Sequence, residues 1–391
     1  MTSKAPESKA GVMAHGNSQV RCSRCLLPAS LPGSNFNPAG ECAWCQSGFP
    51  RYAPRGEEGL HALLQRYRNP RAPADCLVGV SGGKDSSYVA LQLQRKFGAR
   101  LEAFTYTHDA MSEFSIANAR NLCRSLDLKH HFVSLPGRTH VDSFIAMFEA
   151  WLESEDFLVA AASCAACKHM NLLGARLASE RGIPLVVWSD CPLEVPPFMR
   201  TPTPNGDSTK PRSFTYLGRR LLRRFCSDRA FRRAFLRHAP TCVYGYLSLR
   251  PDTRYLRWRY PRVRQVHYFD YCRWDRAEIL SALQTDTDWS IPESLPSDWH
   301  SDCQLHILRE YMSQRSLGAS EVDAHLSNQI RHGLLTREEG WRKLREVKAH
   351  HEAELLAVLA QLGLNRLASR VDPTSFRLRE KAPEPADRAA G

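Results

Sequence analysis

The chain has 391 residues, 43% of them apolar, which suits one large domain or two ordinary ones with a sizeable core. Its formal charge of +12 directs attention to anionic ligands such as nucleotides, phosphates or nucleic acid. The apolar stretches are short and broken by charge, so no membrane-spanning helix is expected, and thirteen cysteines without a secretory h-region point to metal or redox chemistry in a cytoplasmic chain rather than to a disulfide scaffold.

Residues 1–19 are polar and rich in Ala, Ser, Gly and Lys, and read as a disordered tail. Residues 20–50 carry Cys22-x-x-Cys25 and Cys42-x-x-Cys45, two knuckles separated by 16 residues. Four thiolates at this spacing can close a tetrahedron around Zn²⁺, with Cys22, Cys25, Cys42 and Cys45 as ligands of a structural site. The turn-rich sequence between them suits a knuckle better than a helix.

Residues 60–200 alternate strand and helix patterns. Asp75 to Val80, Leu101 to Thr107, His130 to Leu135 and Ile183 to Trp188 read as strands; the stretches from Ser86 to Gly98 and from Ser112 to Leu126 read as helices. This alternation predicts an α/β fold, a parallel sheet covered on both faces, with ligands at the C-terminal strand ends. At one such end lies Ser81-Gly82-Gly83-Lys84-Asp85-Ser86. Two glycines let backbone N–H groups face an anion, the following helix start adds partial positive charge, and Lys84 adds a full one. Ser81 and Ser86 can donate to phosphate oxygens. Asp85 makes sense if it holds Mg²⁺ or caps the helix. The spacing is neither that of a Walker loop nor that of a dinucleotide fingerprint.

Cys164-Ala-Ala-Cys167 follows the third strand and has three open readings: a catalytic or persulfide-carrying pair, two ligands of an iron–sulfur cluster completed by a third cysteine, or small buried residues. Residues 201–265 form an insertion rich in Arg and aromatics. From Arg219 to Arg237 it reads as a basic amphipathic helix or helix pair, able to meet tRNA phosphates, an anionic membrane or a nucleotide-sugar. Residues 266–375 read as mainly helical, with Thr336 as an N-cap and Glu339 completing a capping box. The Trp299, His300, Asp302, Cys303 loop is a possible binding site. Residues 376–391 read as a second disordered tail.

The Ser81 loop resembles the signature of the pyrophosphate-loop ATPases, the adenine-nucleotide alpha-hydrolase superfamily with its HUP-like domain. The resemblance assigns Ser81, Gly82, Gly83, Lys84, Asp85 and Ser86 to ATP and Mg²⁺. In that chemistry a substrate oxygen attacks the α-phosphate and a nucleophile later displaces AMP. Lys84 and Asp85 then count as catalytic, as do Cys164 and Cys167 if sulfur is transferred; some tRNA thiolases of this type also combine an N-terminal zinc knuckle with a later CxxC.

A longer run of strings resembles the bacterial N-acetyl sugar amidotransferases of surface-polysaccharide and nonulosonic-acid pathways. These are Cys25-Leu-Leu-Pro28, the Ser81 loop, Gly182-Ile-Pro-Leu-Val-Val-Trp188, Tyr-Phe-Asp-Tyr and Arg-Trp-Asp after His267, Ser301-Asp-Cys303, and Leu326-Ser-Asn through Glu339. The resemblance implies that ATP activates a carbonyl of a small substrate, that ammonia replaces its oxygen, and that a separate glutaminase subunit supplies the ammonia. The chain departs from that pattern at Ser189-Asp190-Cys191, where Gly-Glu-Asn is expected, and in possessing the Cys164/Cys167 pair. Both departures add sulfur and keep open a sulfur transferase acting on tRNA or a small heterocycle.

Overall fold

The computed structural model describes residues 20–48, 52–191, 193 and 214–378. The N-terminal tail expected over 1–19 lies outside them, as does most of the C-terminal one. Five strands, β1 Cys76–Gly79, β2 Leu101–Thr107, β3 Lys129–Ser134, β4 Leu185–Trp188 and β5 Arg264–His267, pair in parallel in the order β3-β2-β1-β4-β5. The central strands β1 and β4 are almost wholly apolar because helices cover both of their faces. The edge strand β3 keeps polar Lys129, His130 and His131. β5 extends the sheet beyond the four strands expected from sequence. Arg264-Gln-Val-His267 holds a single aliphatic residue, and its pairing with β4 makes it a strand.

The helices are α1 Ala43–Gln46, α2 Glu57–Tyr67, α3 Lys84–Arg95, α4 Glu113–Ser125, α5 Thr139–Leu152, α6 Phe157–Ala162, α7 His169–Arg181, α8 Phe214–Ser227, α9 Arg229–Arg237, α10 Ala239–Leu247 and α11 Arg254–Arg259. The C-terminal region adds α12 Arg276–Asp286, α13 Leu305–Leu317, α14 Glu321–Arg331 and α15 Arg337–Gln361. One sheet face sets Val78, Val80, Leu101, Ala103, Leu185 and Val187 against Val89 and Leu93 of α3, Leu122 of α4 and Leu283 of α12. The other sets Leu77, Phe104, Val186 and Trp188 against Ala178 of α7. Each buried aliphatic side chain contributes about 1.5–3 kcal/mol, so this double cover holds the sheet that positions the loop after β1.

A third core joins α5, α9, α13 and α15 through Phe144, Phe148, Phe231, Leu308, Tyr311 and Leu355. Phe376 belongs to it. Composition places that residue in the tail, yet it closes a 3₁₀ turn and is buried. The stretch Phe157–Arg181 is long and apolar enough to cross a bilayer by composition, contrary to expectation, but 56% of its most apolar 18-residue window is buried in the protein, where α6, a 3₁₀ turn and α7 pack on the cores. The Thr336 cap and its Glu339 capping box are both present.

Candidate active site

β1 and β4 are neighbours from which the chain crosses over in opposite directions, so a crevice opens at their C-terminal ends. The Ser81–Ser86 loop lies there. Gly82 takes φ +84°, in the left-handed region, and a Cβ on it would stand 1.9 Å from the Ser115 backbone oxygen. The Gly82 carbonyl accepts hydrogen bonds from Trp289 Nε1 at 2.9 Å and Asn118 Nδ2 at 3.4 Å. The Ser81 N–H donates to Ser86 Oγ at 3.1 Å, and the Gly83 N–H to Ser81 Oγ at 3.3 Å. α3 begins at Lys84, so its free N–H groups open onto the loop.

Gly83, not Asp85, is the N-cap of α3, and Asp85 does not cap the helix. Its carboxylate accepts from Trp274 Nε1 at 2.7 Å and from Lys84 Nζ at 2.8 Å. Lys84 is buried, lies 3.7 Å from Asp298 and sits over the Trp274 ring. Asp298 also pairs with Arg276 at 2.8 Å. Burial works to raise the Asp298 pKa, but Lys84 and Arg276 together hold it below the usual carboxylate range. Asp302 shows the opposite balance: burial raises its pKa even though the Ser81 hydroxyl and Lys84 favour the charged form.

A cavity of about 170 Å³ opens beside Lys84. Arg276 and Lys343 supply charge to its walls, and Trp274, Trp289 and Trp299 supply flat apolar faces. His325 stacks on Trp299 with ring centroids 4.4 Å apart and bonds Gln329 Nε2 at 2.8 Å. Burial, reinforced by Lys84, pushes the His325 pKa down to about 3, so its ring is neutral. Two buried polar atoms of this wall, Trp299 Nε1 and His325 Nδ1, have no hydrogen-bond partner among the described residues.

Residues 301–304 run against the turn after β2: Met111 and Cys303 form an antiparallel bridge, and the Ser112 N–H donates to the Asp302 carbonyl at 3.1 Å. This pairing turns Asp302 toward Ser81 and sets Cys303 close enough to Cys164 and Tyr106 for their fields to interact. Cys167 and burial push the Cys164 thiol up, while Arg309, 3.7 Å away, pulls it down. Cys167 Sγ lies 3.6 Å from His140 Nε2, and His140 Nδ1 lies 2.8 Å from the Tyr106 hydroxyl. When Tyr106 donates to the Ala166 carbonyl at 3.2 Å, Nδ1 carries the ring proton and Nε2 is free to accept from the Cys167 thiol. Burial pushes His140 down to about 4, which keeps it a neutral acceptor.

The four N-terminal cysteines meet. Their sulfurs lie within 4.8 Å of one another, with Cys22–Cys45 and Cys25–Cys42 both at 3.7 Å. A tetrahedron with about 2.3 Å metal–sulfur bonds has edges of about 3.8 Å, so the four sulfurs fit one tetrahedral ion. Backbone N–H groups of Cys25 and Cys42 donate to Cys22 Sγ, and Arg331 donates to Cys25 Sγ at 3.3 Å, as suits thiolates. The knuckle is seated on α14. Leu26 packs with Trp299, Val322, Leu326 and Val347, which also line the cavity.

The six loop residues lie together at the end of β1, whereas Cys164 and Cys167 lie in the turn between α6 and α7 and do not line the cavity beside Lys84. Ser189-Asp190-Cys191 follows β4; Asp190 lies 3.3 Å from His267, while Cys191 is buried. The roles of Asn118, Trp289 and Asp298 carry no sequence signal. Asp302 and Cys303 belong to a loop whose composition marked it as a possible site.

No family model matches this sequence, and no curated protein sequence matches it. Among solved structures the chain is similar to the NMN synthetase of Francisella tularensis, at 12% identity and TM-score 0.36, covering 84% of this chain and 97% of that one. It is similar to the U34-tRNA thiolase NcsA of Methanococcus maripaludis with its [4Fe-4S] cluster, at 12% identity and TM-score 0.32, covering 81% and 86%. It is also similar to the NH3-dependent NAD synthetase of Campylobacter jejuni, at 18% identity and TM-score 0.25, covering 35% of this chain and spanning only 56% of that enzyme. Likeness at this distance transfers no activity.

Proposed function

We propose that this chain is an ATP-dependent adenylating enzyme of the pyrophosphate-loop type, an amidotransferase that acts on a carbonyl of an N-acetylated sugar. The observation that carries this reading is the Ser81–Ser86 loop, shaped as an anion cradle at the crevice and opening beside a cavity walled by three tryptophans. The phosphates of ATP meet the N–H groups at the start of α3. Lys84, screened from water, stabilises charge building on the departing pyrophosphate. Asp85, within the loop, and Asp302, beside the Ser81 hydroxyl, would hold Mg²⁺, a hard cation suited to oxygen ligands that would neutralise the same charge. The four-cysteine knuckle would hold Zn²⁺ in a structural role.

The cavity beside Lys84 has room for a single sugar ring, whose faces the tryptophans can cover. The acceptor's carbonyl oxygen attacks the α-phosphorus and the bond to pyrophosphate breaks. Ammonia from a separate glutaminase subunit then forms the C–N bond, and AMP leaves with the oxygen. The test is pyrophosphate–ATP exchange dependent on an N-acetyl sugar. Lys84→Ala is expected to lower exchange by about 10²–10³ while the variant keeps its unfolding profile; exchange at the wild-type rate refutes the reading.

A second reading, sulfur transfer to tRNA or a small heterocycle, is favoured by one observation: His140 Nε2 lies 3.6 Å from Cys167 Sγ, with Cys164 three residues away packing on the same core as Cys303. An iron–sulfur cluster would be held by these three thiols. Iron and labile sulfide in protein purified without oxygen, lost in Cys164→Ala/Cys167→Ala, would select this reading; zinc alone in both proteins favours the amidotransferase.

A further inference from the structure

The net charge of the chain has one source. Residues 214–264 contain fourteen arginines, two aspartates and no lysine or glutamate, leaving +12, the charge of the whole chain; the remainder is neutral in sum. The same segment holds six of the nine large apolar side chains exposed among the described residues: Leu222, Leu236, Val243, Tyr244, Leu247 and Trp258.

α10 organises this surface. It carries no charged residue, and its inner face is pinned. A Cβ on Gly245 would lie 2.2 Å from the Ala165 carbonyl, and the Thr241 carbonyl lies 2.9 Å from His169 Nε2. With that face fixed, Val243, Tyr244 and Leu247 are held outward. Tyr244 continues to Tyr255 and Tyr255 to Trp258, each step 6.3 Å between ring centroids, so the apolar strip runs on to α11. Trp258, at its end, is 75% exposed. The arginines nearest in sequence, Arg237, Arg250, Arg254 and Arg257, are exposed.

We propose that this strip is a docking surface for an anionic lipid membrane, going beyond the adenylation reading and independent of it. Aliphatic side chains that enter the acyl boundary, aromatic rings at headgroup level and arginines reaching phosphates are the three components of an interfacial site. An RNA would use the arginines and the rings but would leave Val243 and Leu247 facing water.

Flotation of the full chain with phosphatidylcholine vesicles, with and without phosphatidylglycerol, tests the assignment. Binding to the anionic vesicles is expected, weakening as salt rises and falling about tenfold or more in Val243→Asp/Leu247→Asp. Both positions are exposed, so the double variant is expected to fold and to keep pyrophosphate exchange. Absence of binding to phosphatidylglycerol vesicles overturns the proposal, as does undiminished binding by the double variant. Displacement of the protein from vesicles by transfer RNA that binds wild type and double variant equally overturns it in favour of a nucleic-acid surface.

Discussion

A methyl group at position 82 would collide with the backbone of α4, and the cost can be worked from the geometry. Gly82→Ala first places an L side chain at φ +84°, costing about 1–2 kcal/mol. The added Cβ then starts 1.9 Å from the Ser115 oxygen, a backbone atom that cannot swing away, so the loop must retreat by more than about 1 Å to reach ordinary contact. That retreat pulls the Gly82 carbonyl from Trp289 and Asn118, at about 1 kcal/mol per hydrogen bond. The sum is about 3–4 kcal/mol. Gly98→Ala is the control: its φ is +59° with nothing within 4 Å of the new Cβ, so it carries the backbone term alone. Urea unfolding of both variants separates the terms, and pyrophosphate exchange reports the loop. Gly82→Ala is expected to be the less stable variant by about 2 kcal/mol and to lose exchange, whereas Gly98→Ala retains it. Equal stability losses, or exchange retained in Gly82→Ala, would refute both the cradle geometry and its assignment.

Cys22→Ser is expected to abolish stoichiometric zinc binding and, because Leu26 supports the cavity wall, to raise KM for the acceptor more than for ATP; undiminished zinc content refutes the knuckle. Trp299→Phe shrinks one of the three aromatic walls of the cavity and should raise acceptor KM while leaving ATP binding alone, which binding titrations with each ligand check. Acid stability follows from three histidines held away from water, His325 and His351 buried and His306 nearly so. Burial pushes His325 and His351 down to about 3 and holds His306 well below its ordinary value of 6.5. These rings stay neutral in the folded chain while the unfolded chain protonates. Their stabilisation is therefore complete above pH 6.5 and is lost as pH falls toward 3. Between pH 7 and 5 the loss is about 2 kcal/mol for each ring, a large share of a total of about 5–15 kcal/mol. A urea midpoint that does not move over that interval would contradict the burial of these rings.

Local features of this protein are legible in its sequence because their physics is local. The Ser81–Ser86 string carries its own turn, charge and helix start. The CxxC spacing brings thiols to one point, and Thr336 and Glu339 cap a helix within one turn. Four of the five strands are legible as short strand patterns between helices, three of them as largely apolar runs. The choice left open for Asp85 needed the fold: its capping role fails because Gly83 is the cap, and its partner Trp274 lies 189 residues along the chain. β5 is a strand by virtue of pairing with β4, since Val266 alone gives no pattern. Phe376 looks like tail until Tyr311 and His351 pack against it. The surroundings of Lys84 come from distant loops, and Cys303 reaches Cys164 only because residues 301–304 run along the turn after β2. Such meetings depend on how crossovers and packed faces bring remote segments together, and residues separated by more than a hundred positions share no periodicity that could declare them neighbours.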